Sequence, residues 1–274
     1  MRKKLSCFGY YGGKFSKLDW LLPQLNTPHQ VYCELFAGSL AVMLNKSRAK
    51  HEIVNDLSEE VADFWLALRE HKDELIHAIA LSPPGESEFL RCRNASPSDD
   101  VVERARRFYV FIVQVFSSIP MKRGVRTSLN HSLGFCSRQK SLRGVAERLH
   151  GVVVENTDAC RLMRRVIATT NEPILFYADP PYPFETRYLN KAYLHDDFDH
   201  DEFLAAVIDA PPHCKFAISG YNNELYNNAL ANWHRVEVNT RMLTNHGASK
   251  SRVDSHRVEV LWRNYDAVLQ PTLL

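Results

Sequence analysis

Pro173-Ile174-Leu175-Phe176-Tyr177-Ala178-Asp179-Pro180-Pro181-Tyr182 is the stretch on which the fold turns. Its first six residues are a short apolar run bounded by proline and by turn residues, the mark of a buried strand. In an open α/β sheet, ligands bind just outside the carboxyl ends of the strands, which puts Asp179 where chemistry is done. Two prolines fix φ at successive positions and remove two N–H donors. What remains is a stiff turn presenting a carboxylate, a carbonyl and an aromatic ring. That set suits a planar amine: Asp179 and the Pro180 carbonyl accept its hydrogens, and Tyr182 stacks on its ring. Taken alone, the tetrapeptide is better explained as a turn that merely ends a strand, so the rest of the chain has to decide.

Upstream, residues 31–36 read as a strand, Ala37-Gly38-Ser39 as its turn, and Leu40-Ala41-Val42-Met43-Leu44 as helical. The next strand, Glu52-Ile53-Val54, runs into Asn55-Asp56. Strand, glycine turn, helix, strand and then an acid 18 residues after Gly38 make a βαβ unit of a nucleoside-binding sheet, in which the acid holds ribose hydroxyls. Asp56 might equally cap the helix that follows were Ser58 not better placed, with Glu59 and Glu60 in its first turn. Gly9-Tyr10-Tyr11-Gly12-Gly13-Lys14 approaches a phosphate-binding loop but lacks one residue of the spacing and has Phe15 where Ser or Thr belongs. That reading is rejected, and Lys14 is as well explained by a solvated residue on a glycine loop.

Residues 59–81 read as one helix, ended by Ser82-Pro83-Pro84-Gly85. Val152-Val153-Val154 resumes the sheet and leads to Asp158, which either caps a helix starting at Ala159 or touches a ligand from a strand end. After Asp179 come a polar, aromatic loop at 183–197, a helix at 199–210, a strand at 214–219, a helix at 223–232, and strands at 236–238 and 258–262. A polar loop at 242–256 carries Lys250 and Arg252. The alternation of strands and helices indicates a doubly wound sheet.

Composition is that of an ordinary globular chain, with 45% hydrophobic and 24% charged residues. Six scattered cysteines without a C-x-x-C pair argue against a zinc site and a disulfide framework, and the N-terminal basic residues have no apolar run behind them. A cytoplasmic protein is expected, with no membrane association and no metal. Charge is the informative quantity. Between Arg91 and Arg148 stand 12 Lys or Arg against 4 Asp or Glu, a local net of +8 in a chain of net +2, which leaves −6 elsewhere. A basic block in an otherwise acidic protein is the electrostatic footprint of a polyanion partner, against the alternative of a solvated basic surface. Within it, residues 101–117 read as a long helix carrying Arg104, Arg106 and Arg107, suited to phosphates. Residues 119–134 read as a loop, whose Lys122, Arg123, Arg126 and Asn130 suit phosphates and base edges.

With these residues in place the chain resembles the Dam-like DNA adenine methyltransferases of N6 specificity. The likeness runs from Tyr10-Tyr11-Gly12-Gly13-Lys14 through the Phe36-x-Gly38 turn and Asp179-Pro180-Pro181-Tyr182 to Arg257-x-Glu259-Val260-Leu261-Trp262, in the family's order. Leu40 departs from it, standing where F-x-G-x-G would have its second glycine. The resemblance implies a Rossmann-like methyltransferase sheet, in residues 1–81 and 150–274, with a mainly helical target-recognition insertion at 82–149. It implies S-adenosyl-L-methionine as cofactor, with Tyr10 and Lys14 near its methionine moiety, Phe36 and Gly38 at the turn, Asp56 on the ribose, Asp158 on the adenine, and Asp179 between cofactor and target base. It implies double-stranded DNA as substrate, with a flipped-out adenine methylated at N6 by Asp179, Pro180, Pro181 and Tyr182. A monomer is the expected form, and the sequence does not specify any restriction endonuclease partner. The competing readings are methylation of an RNA or protein amine or amide, and a non-catalytic DNA-binding protein on the same fold. Asp at the first position of the tetrapeptide favours adenine over a protein amide, where Asn stands, and none of the matched acids is lost.

Overall fold

The structure, a computed structural model, describes residues 4–115, 129–183, 197–240 and 257–268. In chain order the elements are α1 (Leu18–Gln24), β1 (Val31–Glu34), α2 (Ala41–Asn45), β2 (His51–Asn55), α3 (Glu59–Glu70), α4 (Lys72–Ala80), α5 (Glu86–Asn94), α6 (Val101–Gln114) and α7 (Leu129–Leu149). They continue as β3 (Val153–Glu155), α8 (Ala159–Thr169), β4 (Ile174–Ala178), α9 (His200–Ile208), β5 (Cys214–Tyr221), α10 (Glu224–Ala229), β6 (His234–Thr240) and β7 (Arg257–Arg263).

The strands form one sheet in the order β3-β2-β1-β4-β5-β7-β6. Pairings from β3 to β5 are parallel, and β7 runs antiparallel between β5 and β6. The chain leaves β1 towards β2 on one side and returns at β4 on the other, so the switch point lies between β1 and β4. Strand side chains alternate faces. Tyr32, Leu175 and Tyr177 join the core shared with α1 to α7, while Cys33, Phe176 and Ala178 join the core shared with α8 to α10. Buried on both faces, β4 needs five consecutive buried residues, and Ile-Leu-Phe-Tyr-Ala supplies them.

Residues 59–81 make two helices rather than one: α3 ends at Glu70, and α4 starts afresh at Lys72 behind His71. The backbone of α7 begins at Leu129, so Asn130, expected on a loop, lies in the first turn of a helix. Both departures concern boundaries that local composition specifies weakly. Lys122, Arg123 and Arg126 lie outside the described residues, as do Lys250 and Arg252. Helices α5 to α7 do not build a core of their own. Phe89, Tyr109 and Leu142 belong to the same apolar cluster as Phe64 and Trp65 of α3 and Tyr32 of β1. Among the described residues no helix is long and apolar enough to cross a membrane.

Candidate active site

The turn after β1 is shaped by two left-handed residues. Gly38 has φ +44°, and a Cβ there would lie 3.1 Å from the Tyr10 ring, so a side chain would be strained and would press that ring aside. Leu40, at φ 50° and ψ 30°, occupies the left-handed region with its side chain fully buried. The position that a second glycine would fill is therefore one that favours glycine, and this chain accepts the strain in exchange for core contacts. Trp65 of α3 donates its indole N–H to the Gly38 carbonyl at 2.9 Å and holds the turn from the far side.

This turn and the one after β4 open on a cavity of about 340 Å³. That is within the roughly 300–1,000 Å³ usual for small-molecule sites, and it sits at the switch point where such sites are expected. The residues foreseen for the cofactor converge on it: Tyr10, Lys14, Phe36 and Gly38 line it, and so do Asp56, Asp158 and Asp179. Two of the acids are also structural. Asp56 accepts the amides of Gly38 (2.8 Å) and Ser58 (3.0 Å). Asp158 caps α8 by accepting the Arg161 amide at 2.8 Å. For Asp158 the two readings left open by the sequence are compatible. Ser58 holds the N-cap position of α3, as the sequence suggests, but its side chain makes no cap hydrogen bond; Asp56 holds the Ser58 amide instead and caps no amide of the helix itself.

Asp179 follows β4, and its surroundings include partners that no local pattern announces. Lys14 is 2% exposed rather than solvated, because its ammonium donates to both Asp179 oxygens, at 2.6 and 2.5 Å, to the Tyr182 hydroxyl at 2.8 Å and to the Gly12 carbonyl at 2.9 Å. Ser219 of β5 donates to Asp179 Oδ1 at 3.0 Å and meets the Tyr177 hydroxyl at 2.9 Å. Burial pushes the Asp179 carboxyl up, with Lys14 opposing that shift. Burial alone would lower the Lys14 ammonium, but the carboxylates of Asp179 and Glu259 outweigh it and hold the group well above its usual range. Of the tetrapeptide, Asp179 and Pro181 line the cavity while Pro180 and Tyr182 do not; Tyr182 is buried with its ring centroid 4.4 Å from that of Tyr221, so the ring expected to stack on a base packs within the protein.

Sequence reasoning passed over Glu34, Ser219 and Glu259. Glu34, the last residue of β1, is buried on the cavity wall, accepts from the Tyr32 hydroxyl at 2.7 Å and the Met43 amide at 3.0 Å, and is pushed by burial up to about 8. An acid ending an apolar strand, as in Val31-Tyr32-Cys33-Glu34, was the available signal.

The basic helix is less open than its sequence suggests. Arg104 pairs with Asp63 at 2.6 Å and Arg107 with Glu103 at 2.6 Å, while Arg106 is shared by Glu103 and Glu88. Arg148 pairs with Glu52 and Arg143 with Asp73. Most of these carboxylates lie outside residues 91–148, so an imbalance along the chain is in large part cancelled in space.

The family model for D12 class N6 adenine-specific DNA methyltransferases matches residues 10–243. No curated protein matches the chain. Among solved structures, rRNA methyltransferase aviRa from Streptomyces viridochromogenes aligns with 12% identity and a TM-score of 0.36, over 93% of this chain and 85% of that one. A second structure of it aligns with 14% identity and a TM-score of 0.34, over 91% and 82%. Likenesses this slight carry no weight for substrate or mechanism. The family match spans most of the chain: the protein belongs to the D12 class N6 adenine-specific DNA methyltransferases, enzymes that act on DNA.

Proposed function

We propose that the cavity between β1 and β4 binds S-adenosyl-L-methionine and that Asp179 receives the amine of a flipped-out adenine beside it. The donor set suits such a molecule. Asp56 offers a carboxylate to ribose hydroxyls, Asp158 an acceptor for an adenine amine, and Glu34, with Tyr10 and Lys14 nearby, a polar end for a methionine moiety. Phe36, Leu57 and Phe198 supply apolar wall for a base, and Gly38 lets Tyr10 approach where a Cβ would intrude. When bound, the cofactor supplies an electrophilic sulfonium methyl group.

The protein's own task is to make a poor nucleophile attack. The exocyclic lone pair of adenine is delocalised into the ring. Asp179 and the Pro180 carbonyl, by accepting the two amine hydrogens, favour a pyramidal nitrogen with a localised pair. That localised pair would be the nucleophile toward the methyl group the cofactor supplies, and one amine proton must depart. Asp179, raised by burial, is the nearest base for it. Holding the reactants in line contributes up to ~7–11 kcal/mol to lowering such barriers. A base stacked in a duplex cannot enter the cavity, so the target adenine is flipped out; stacking on Tyr182, worth ~1–3 kcal/mol, requires that ring to leave its contact with Tyr221.

Residues 82–149 are proposed as the target-recognition unit. Lys122, Arg123, Arg126 and Asn130 are the candidates for DNA contact, with Arg104 and Arg107 able to reach phosphate only by giving up the carboxylates that now hold them.

The observation that carries this reading is the convergence of Asp56, Asp158 and Asp179, from three different strand ends, on one cavity. The test is to sequence modified bases in DNA from cells expressing the wild type and Asp179→Ala. N6-methyladenine at a defined site in the first and none in the second is expected. Methylation by the variant would sink the role of Asp179.

A further inference from the structure

Glu259 is a fully buried carboxylate in an otherwise apolar strand segment, Val258-Glu259-Val260-Leu261-Trp262 of β7, more than seventy positions from any residue assigned to the reaction. A charge placed there is costly unless it is paired. Its Oε1 lies 3.2 Å from the Lys14 ammonium and accepts the Tyr182 hydroxyl at 3.3 Å, while its Oε2 accepts the Lys17 ammonium. Lys17, Glu259, Lys14 and Asp179 thus form a row of alternating charges, held between β7, the N-terminal segment and the turn after β4.

The row bears on a difficulty at the site. Lys14 donates to both oxygens of Asp179, one of which the target amine needs as an acceptor. An ammonium with no other anion would compete fully with that amine. Glu259 gives it a second carboxylate at hydrogen-bonding range, so the lysine can move aside without losing its charge partner.

We propose that Glu259 is a positioning residue for methyl transfer: it shares the Lys14 ammonium with Asp179 and anchors the Tyr182 hydroxyl, so that an Asp179 oxygen becomes available to the amine. The inference rests on the reading of Asp179 as the amine acceptor. The charged and titratable groups facing Asp179 are Lys14 and Lys17 from the N-terminal segment, Glu34 and Tyr177 from β1 and β4, Tyr182, and Glu259 from β7, with Tyr221 of β5 beyond them. Among these, Glu259 raises the Asp179 carboxyl and the lysines lower it. Removing the Glu259 charge therefore leaves Lys14 committed to Asp179 and moves the acidic limb of the rate profile to lower pH. Removing the Lys17 charge moves it to higher pH.

The test uses full-length wild type, Glu259→Gln, Lys17→Met and Asp179→Asn, with radiolabelled S-adenosylmethionine and genomic DNA lacking methylated adenine. Glu259→Gln should lower kcat by about tenfold or more, the scale of loss when a reacting group is misplaced. Its dissociation constant for the methyl donor, from calorimetry, should stay within about twofold, because no donor contact is assigned to it. The acidic limbs of the two charge variants should move in opposite directions, and the loss of kcat at unchanged donor affinity in Glu259→Gln is the result that a purely structural ion pair does not produce. Wild-type kcat and an unmoved limb in Glu259→Gln, with Asp179→Asn inactive, would overturn this inference alone. An active Asp179→Asn would overturn the reading of Asp179 and this inference with it. Should Glu259→Gln fail to fold, Lys17→Met decides, since Lys17 is partly exposed at 19% and easier to replace; an unmoved limb there overturns the proposal.

Discussion

The Asp56 carboxylate accepts the Gly38 amide through one oxygen and the Ser58 amide through the other, at 2.8 and 3.0 Å, tying the turn after β1 to the start of α3. Asp56→Ala is therefore expected to do two things. Loss of a charge-assisted hydrogen bond to a ribose is worth ~1.5–3 kcal/mol, so affinity for S-adenosylmethionine should fall at least about tenfold. The melting temperature should fall too, because two amides lose their acceptor. Calorimetry and a thermal melt separate the effects, and an unchanged dissociation constant with a lowered melt would leave Asp56 a structural residue only.

Glu34 makes stability depend on pH in an unusual direction. Burial raises its carboxyl from 4.5 to about 8, so between those values the folded protein holds a proton that the unfolded chain has released. Stability is fully present below the lower value and declines as pH rises towards the upper one, with a limiting slope of about 1.4 kcal/mol per pH unit. In Glu34→Gln this contribution is absent, so the variant should gain on the wild type between pH 5 and pH 8. Parallel losses for both proteins across that window would show that Glu34 is ionised in the folded state.

At Leu40 two costs compete. A left-handed non-glycine residue is strained by roughly 1–2 kcal/mol, whereas emptying a buried leucine site costs ~2–5 kcal/mol. Leu40→Gly should therefore melt lower than the wild type even though it restores the glycine of F-x-G-x-G. A higher melting temperature would mean that backbone strain outweighs packing at this turn.

For DNA binding, position in the fold changes the expectation for individual arginines. Arg104→Ala should reduce the salt slope of binding by less than the ~1 unit expected per phosphate contact, since Asp63 already holds that guanidinium. Arg123→Ala and Arg126→Ala, in the segment between α6 and α7, should relax the methylated-site profile at single positions, a bidentate base contact being worth ~1–3 kcal/mol. Site profiles unchanged by either substitution would move the search for the specificity element to residues 242–256.

Much of the sheet was legible because strand patterns are local: β1, β2 and β4 are short apolar runs with turn residues at their ends, and each acid proposed for the ligand directly follows a strand or its turn. Lys14 was foreseen at the cofactor by resemblance, but its burial and its ion pair were not legible. Its partner Asp179 is 165 residues away, and nothing near Gly12-Gly13 indicates that the lysine turns inward. Glu259 escaped for the same reason, its counter-charges being supplied by the N-terminal segment. The basic block misled in part because charge was summed along the chain, while Asp63, Asp73 and Glu88 from neighbouring helices and Glu52 from β2 offset about half of its +8 in space.

The shared core of α3, α6 and α7 bears on how such an enzyme can change its target. Arg148, at the end of α7, is bound by Glu52 of β2 and donates to the Met43 carbonyl of α2, while Arg48 reaches across to the carbonyls of Glu147, Arg148 and His150. Helices α5 to α7 are thus welded to the strands beneath the cavity rather than hung from them. Replacing the whole segment would disturb the shared apolar core and the Arg148 partner of buried Glu52, leaving that carboxylate only Lys46 and Arg48. If residues 82–149 are the target-recognition unit proposed above, new specificity is better sought by exchanging only the stretch between α6 and α7, with the helices left in place as its frame.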